Sequence, residues 1–270
     1  MDAARPKADI SAPARLLVTA LGGIPLIHPG DDLVEIILEA VTRMDDQLAD
    51  GDVLVLAQKI VSKSEGRIVD LETVTPSARA LEVAGQVDKD PRLVELILSE
   101  ATEIVRHRKG VLVVAHRCGV VLANAGIDRS NVDQSDNDDP TGTNVLLLPE
   151  DPDASCAKLR AAIQERTGAA VGIVINDSLG RAWRNGTVGA AIGAAGIEAL
   201  LDLNGEPDLF DRPLQSTQIG LADELAATAS LVMGQGREGR PVVLIRGLER
   251  GHGDGTAADL VRPRDQDLFR

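Results

Sequence analysis

The sequence predicts a mixed α/β fold, and three observations carry that expectation. Short, wholly apolar runs such as Val53 to Ala57, Val171 to Ile175 and Val242 to Ile245 have the length of strands buried on both faces. Longer amphipathic segments opened by capping residues lie between them, as helices covering a sheet require. The chain has 270 residues, 44% of them apolar, which is enough to bury a full core in one unit or in two lobes. Aromatic residues are nearly absent, with no Tyr, one Trp and two Phe, so Val, Ile, Leu and Ala must build that core.

In chain order, the opening to residue 14 reads as a flexible tail, and 15–270 as a single catalytic unit. A strand at Leu16 to Ala20 runs into Leu21-Gly-Gly-Ile-Pro-Leu-Ile27, and a helix from Asp31 to Ala49 follows, with Asp31 or Asp32 available as its N-cap. After the strand Val53 to Ala57 comes Gln58-Lys-Ile-Val-Ser-Lys-Ser-Glu-Gly-Arg67, then helical patterns over Ser77 to Val87 and Pro91 to Arg108. Strands are expected at Val111 to Ala115 and Val120 to Ala123. The polar stretch Asn124 to Asn144 reads as a solvated loop. Apolar Leu146 to Leu148 and a helix from Asp153 to Arg166 lead to a strand from Val171 that stops at Asn176-Asp177-Ser178. The small-residue run Thr187 to Gly196 suits close backbone packing. A helix at Ala222 to Met233, a strand at Val242 to Ile245 and a helix at Thr256 to Leu260 complete the pattern.

Composition excludes several functions. A formal charge of -14 gives no basic field for a nucleic-acid backbone, and the scarcity of aromatics removes base-stacking platforms. An anionic ligand must therefore be held by local cations or by metal. No apolar run approaches the roughly 18 residues of a membrane span. Met1 to Ala14 lacks a signal-peptide core, and Cys118 and Cys156 have no ligand-like spacing, so a cytoplasmic protein without disulfides is expected. There is no G-x-x-x-x-G-K-[ST] and no G-x-G-x-x-G, which leaves neither a P-loop nor a Rossmann fingerprint. No G-x-S-x-G elbow supports a hydrolase triad. His28, His107, His116 and His252 show no metal-ligand spacing and read as surface or packing residues.

Four segments remain that could carry chemistry. Val171-Gly-Ile-Val-Ile-Asn-Asp-Ser-Leu-Gly-Arg-Ala-Trp-Arg-Asn185 delivers Asp177 and Ser178 after an apolar strand, with Arg181 and Arg184 beyond; it fits either a capped turn or a metal-phosphate site. Lysine is scarce, six against 22 arginines, yet Lys59 and Lys63 are four apart directly after a buried strand. If that segment is helical they share a face with Arg67 one turn on, giving an anion site or a plain basic surface. Gly126-Ile-Asp-Arg-Ser-Asn131 places Asp128 and Asn131 three apart, a carboxylate for a hard cation beside an amide, or an Asx turn. Met233-Gly-Gln-Gly-Arg-Glu-Gly-Arg240 offers backbone N–H groups to phosphate, or is a flexible loop. If neighbouring strands bring Asp128 and Asp177 together, Mg²⁺ or Mn²⁺ with phosphate oxygens would complete the site.

Taken together, G-G-I-P-L-I, Q-K-I-V-S-K-S-E-G-R, G-I-D-R-S-N-V, N-D-S-L-G-R-A-W-R-N-G and G-Q-G-R-E-G-R-P-V-V-L-I-R-G resemble the coenzyme F420-0:L-glutamate ligase (F420-0:gamma-glutamyl ligase) family, from about Leu16 to Phe269. The resemblance implies a ligase that uses GTP to join L-glutamate, and then further γ-linked glutamates, to the deazaflavin precursor F420-0. It also implies two Mg²⁺ or Mn²⁺ sites, admits K⁺ as a further ion, and implies a homodimer of unusual mixed α/β fold. Carried over by motif, Ile24, Pro25, Leu26, Ile27, Lys63, Asn131 and the loop Met233, Gly234, Gln235, Gly236, Arg237, Glu238, Gly239 and Arg240 would contact GTP. Gln58 stands at another nucleotide-contact position, where the family often has a small hydroxyl residue. Asp128 and Asp177 would hold one metal and act in catalysis, and Ser178 and Gln235 would help hold a second. Some relatives carry a flavin-binding domain after the ligase part, which is not expected here. The loop 132–145 is longer than in many relatives. A metal-dependent nucleotide phosphohydrolase and a non-catalytic GTP-binding scaffold are the competing readings.

Overall fold

The computed structural model describes residues 13–130 and 143–268. Most of the expected tail and of the 132–145 loop, with Asn131, lies outside them. Strand β1 (Leu17–Ala20) leads to helix α1 (Leu33–Thr42), strand β2 (Val53–Ala57) and helix α2 (Gln58–Ser64), which begins on the residue after β2 ends. Strand β3 (Ile68–Asp70), helices α3 (Ala78–Val87) and α4 (Pro91–Glu100), and strands β4 (Ala101–Arg108), β5 (Val111–His116), β6 (Val121–Ala123) and β7 (Asn144–Leu146) follow. The second half comprises helix α5 (Pro152–Thr167), strands β8 (Gly172–Arg181), β9 (Arg184–Ala195), β10 (Leu201–Asp202) and β11 (Gln218–Ile219), helix α6 (Leu221–Met233) and strand β12 (Val242–Arg246). The mixed α/β expectation holds.

The central sheet runs β1-β12-β2-β8-β9, with β2 and β8 parallel and the other pairs antiparallel. Its middle strands are apolar throughout because both faces are covered. Leu54, Leu56, Ile173, Ile175, Val242 and Leu244 point to one side and pack with α1, α2 and α5. Val53, Val55, Val174, Val243 and Ile245 point to the other side and pack with α6. The period-two alternation thus supplies two cores from one set of strands, each fully buried side chain contributing about 1.5–3 kcal/mol. A third cluster joins α3 and α4 to Leu112 and Val114 of the β4-β5-β6 sheet.

Local chemistry sets the boundaries. Asp32 caps α1, accepting N–H bonds from Val34 and Glu35 at 3.0 and 3.1 Å. The helix ends at Thr42, short of the expected Ala49, because Asp45 takes a left-handed φ of 57°. The helix expected over Pro91 to Arg108 stops at Glu100. Residues 101–108 pair with β5 instead, across a turn in which Gly110 has φ of 81°. Thr102, Ile104 and Val105 favour a strand once β5 offers an edge. The expected helix at Thr256 to Leu260 is a 3₁₀ turn, Ala257–Leu260, held by a Thr256–Asp259 capping box.

Beneath β3 and β7 lies a buried ionic cluster. The guanidinium of Arg67 donates to both Glu100 oxygens at 3.0 and 2.9 Å, and that of Arg117 lies 3.0 Å from Glu100. The ring of buried His116 brings Nε2 to 3.4 Å from the same carboxylate, and its Nδ1 accepts the Cys118 N–H at 3.1 Å. Burial alone would raise the Glu100 pKa, but His116, Arg67 and Arg117 hold it down at about 2. His116 is thus a packing residue with an electrostatic task.

A depressed carboxyl pKa stabilises the fold above the unfolded-state value and loses that contribution as pH falls through the folded value. Glu100→Gln should therefore cost about 3 kcal/mol at pH 7 in urea unfolding. The gap to wild type should close as pH falls from about 4.5 to about 2. A pH-independent difference would mean that the loss is one of shape and not of charge.

Candidate active site

Register alone lines up four chain segments at one edge of the central sheet. Val242, where β12 begins, faces Leu56 near the end of β2, and Ala20, the end of β1, faces Val243. In the parallel pair, Ala57 lies beside Asn176. The Ala57 N–H donates to Pro241 O, and that of Leu21 to Val242 O, both at 2.8 Å. The segment after β1, the loop before β12, the start of α2 and Asp177 therefore emerge together. Gly30 N–H, donating to Ser64 O at 2.9 Å, ties the segment after β1 to the far end of α2.

Asp177 is not at the end of its strand, as the sequence suggested. Strand β8 continues to Arg181, with Asp177 paired to Ala190 and Ser178 to Gly189, after an irregularity between Ile175 and Asn176. The strand persists because β9 is built of small residues. A Cβ on Gly189 would strike Ser230 Oγ, Ala226 O and Asn176 Oδ1, so glycine there lets α6 lie directly on the sheet. The close-packing expectation for this run holds. Buried Asn176 donates from Nδ2 to Ser230 Oγ at 3.1 Å and approaches Met233 Sδ at 3.7 Å, joining β8 to the end of α6.

Asp128 comes to this edge by a backbone clamp. Its N–H donates to Leu146 O at 3.0 Å and its C=O accepts from Leu146 N–H at 2.9 Å; Leu146 in turn pairs with Ile68, just beyond α2. The Asp128 carboxylate accepts the Ser130 N–H at 2.6 Å and the Ser130 hydroxyl at 2.9 Å, an Asx turn. Lys59 Nζ lies 2.7 Å from Asp128 Oδ2 and 2.6 Å from Ser130 Oγ. Burial would raise the Asp128 pKa, but Lys59 and the Ser130 N–H bring it below the usual carboxylate range. Asp177 moves the other way. Burial raises its pKa, the Ser178 N–H and Lys59 oppose that, and the Asp128 charge adds to it, so the two carboxylates and the ammonium share one field.

The loop before β12 reaches Ser178, whose hydroxyl donates to Gln235 Oε1 at 2.7 Å. Glu238 folds back to accept the Gly236 N–H at 2.7 Å, and Gly234 leaves α6 with φ of 80°. Gln235, Gly236, Arg237, Glu238, Gly239 and Arg240 are exposed around this contact. Asp128, Asp177, Ser178 and Gln235 are thus brought together, with Lys63 one helical turn from Lys59.

Other expected contact residues are less available. Met233 is buried against Asn176, and Ile27 belongs to the main core. Gln58 is buried and accepts the Ser62 hydroxyl at 2.9 Å, so its Oε1 is engaged inside α2. Of Ile24 to Ile27, Pro25 and Leu26 are exposed. Arg181 and Arg184 face each other at the β8–β9 hairpin end, and at about 3.3 Å per residue Arg181 lies roughly 13 Å along the strand from Asp177. Sequence reasoning passed over Ser130 and Asn176, and left Lys59 as either an anion site or a plain basic surface, without its partner Asp128. The D-x-S spacing of an Asx turn was the available signal for Ser130.

Comparison with known sequences accounts for this arrangement. A model of the F420-0:Gamma-glutamyl ligase family matches residues 23–247, spanning all four segments. The chain belongs to this family. It is similar to the coenzyme F420:L-glutamate ligase of Methanothermobacter thermautotrophicus, at 47% identity over 92% of this chain and 96% of that protein. The proteins of the same name from Methanocaldococcus jannaschii and Archaeoglobus fulgidus are 44% and 42% identical, over 83% and 95% of this chain and 86% and 97% of theirs.

The donor set of this F420-0:gamma-glutamyl ligase family site suits a hard cation. Among the described residues no group of three His, Cys, Asp or Glu side chains converges. A metal here would therefore rest on the two carboxylates, on neutral oxygens such as Ser178 Oγ and Gln235 Oε1, and on substrate oxygens. That fits Mg²⁺ or Mn²⁺, which are held by few carboxylates plus phosphate. It does not suit a softer ion, which would favour imidazole or thiolate.

A carboxyl group whose folded-state pKa is raised weakens the fold as pH climbs above its unfolded value. Asp177→Asn should accordingly raise the melting temperature of metal-free protein at pH 7, and the gain should vanish below about pH 4, where wild-type Asp177 is protonated in both states. An equal or lower melting temperature at pH 7 would count against an electrostatic cost at Asp177.

Proposed function

We propose that this chain is a GTP-dependent coenzyme F420-0:L-glutamate ligase. The observation that carries the reading is the meeting of Asp128, Lys59, Asp177 and the Ser178–Gln235 contact at one sheet edge, within the region matched by the ligase family. The name of the relatives, coenzyme F420:L-glutamate ligase, gives their two substrates, F420 and L-glutamate. The oxygen-rich donor set and the glycine-rich loop beside it support GTP and divalent ions as the further participants.

Amide formation from a free carboxylate and an amine is unfavourable in water. In the proposed route a carboxylate oxygen of the deazaflavin substrate attacks the γ-phosphorus of GTP, the bond to the β-phosphate oxygen breaks, and GDP leaves. The glutamate nitrogen then attacks the acyl carbon of the resulting acyl phosphate. The carbon–oxygen bond to phosphate breaks, inorganic phosphate leaves and the amine sheds its proton to solvent. Further rounds on the new γ-carboxylate would lengthen the glutamate tail.

Such transfer relies on positioning and charge neutralisation more than on a protein nucleophile, in keeping with the lack of a hydrolase motif. Asp128 and Asp177 would hold one divalent cation, and Ser178 and Gln235 would help hold a second. Such ions would supply neutralisation of phosphoryl oxygens. The Gly236 N–H, held here by the Glu238 carboxylate, would become a neutral donor to phosphate once that side chain turns away. In a chain of charge -14, these local groups and ions must supply the attraction for anionic substrates.

Incubation with F420-0, GTP, Mn²⁺ and L-glutamate should give a product ladder spaced by glutamyl units in mass spectrometry, with GDP released in step. Asp128→Asn and Asp177→Asn should each lower glutamate-dependent GDP release by roughly 100-fold or more. Chelation with EDTA should abolish it, and added Mg²⁺ or Mn²⁺ should restore it. GDP release that ignores glutamate would favour a phosphohydrolase. GTP binding without turnover in any acceptor mixture would favour a scaffold.

A further inference from the structure

Lys59 is partly enclosed by oxygen atoms from the Asp128–Ser130 turn. Its side chain is only 26% exposed, and its Nζ contacts Asp128 Oδ2 at 2.7 Å, Ser130 Oγ at 2.6 Å and Ser130 O at 3.1 Å. Carboxylate, hydroxyl and carbonyl oxygens around one compact charge form the kind of shell a hard metal ion takes. The same charge is felt at Asp177, so the ammonium offsets both carboxylates expected to bind metal. Its place is fixed by the fold: Lys59 is the second residue of α2, which starts directly after β2, and β2 is locked in parallel register with β8.

Building on the metal-phosphate reading of the site, we propose that Lys59 is its internal counter-cation. With no metal bound, the ammonium pairs with Asp128 and offsets part of the negative charge that Asp128 and Asp177 present together. A divalent ion entering the same carboxylate pair meets a positive charge within a few ångströms and must displace it or bind against its repulsion. The residue therefore sets the concentration of free metal at which the site fills. A displaced ammonium gains a new partner only when an anion arrives, so a metal ion accompanied by phosphate should enter more readily than a metal ion alone. Lys59 thus acts as a positioning residue whose charge opposes the metal it serves.

The test is direct Mn²⁺ binding to metal-free full-length protein without nucleotide, followed by the electron paramagnetic resonance signal of free Mn²⁺. Wild type should bind weakly, and Asp177→Asn should bind less, which tests the metal reading itself. Lys59→Met and Lys59→Gln should each bind about tenfold more tightly than wild type. Lys59→Arg, which keeps the charge, should stay near wild type, and so should Lys109→Met, which removes a charge from the exposed ion pair with Asp88. Thermal melts establish that each variant is folded, and the two neutral variants guard against failure of either one. If wild type binds Mn²⁺ and both neutral variants bind equally or more weakly, this proposal falls while the metal reading stands. It falls likewise if Lys59→Arg tightens binding as much as Lys59→Met. Binding by none of the proteins, neutral variants included, would sink both.

Discussion

Everything that makes this site possible depends on the parallel pairing of β2 with β8. Five consecutive pairs, Val53 with Gly172 through Ala57 with Asn176, join strands far apart in sequence and bury them on both faces. Parallel ladders need such burial, because a crossover connection places helices on the sheet. A slip of one residue would turn Leu54 and Leu56 into the wrong core and carry Asp177 to the opposite face of β8. The two apolar clusters therefore hold the chemistry in register.

That frame explains how a strongly acidic chain can present cations where they are needed. The ammonium of Lys59 leaves the sheet edge on the first turn of α2, and the same segment ends at Arg67, which reaches down to Glu100. The short helix α2 and the turn that follows it thus serve two ionic sites of different character. Around Glu100, three basic groups enclose one carboxylate and fix the β5–β6 turn to the base of α2. At Asp128 and Asp177 the balance is reversed: two carboxylates share one ammonium, leaving negative charge to be met by something else. The first arrangement is complete in itself. The second is not, and an incomplete charge balance at a sheet edge is what a binding site requires.

Much of the fold was legible because periodicity reports burial. The apolar runs at Val53, Val171 and Val242 mark the central strands, and the capping residues Asp32, Ser77 and Asp151 stand one residue before their helices. Legibility failed where an element depends on a distant partner. Residues 101–108 carry a pattern compatible with a helix, and β5 makes them a strand. Asp177 and Ser178 have turn chemistry, yet the small-residue strand β9 draws them into a ladder. Exposure was equally hidden. Gln58 and Met233 lie inside motifs that suggest ligand contact, but both are packed inward, whereas Ser130 reaches Lys59 across 71 positions of sequence.

By itself, the sequence determined the element types, the aliphatic core, the lack of a basic field and of P-loop or Rossmann chemistry, and the motifs that match one ligase family. These are properties of local composition and spacing, which act through backbone preference and burial. Which motifs meet was decided by tertiary structure alone. The register of β1, β12, β2 and β8 fixes one shared edge, and the Asp128–Leu146 bridge brings in the second carboxylate. Charge follows the same division. Any reader of the chain can count its carboxylates, but only the folded molecule sets Lys59 against Asp128 and within the field of Asp177, because electrostatic energy depends on separation in space and not on separation along the chain.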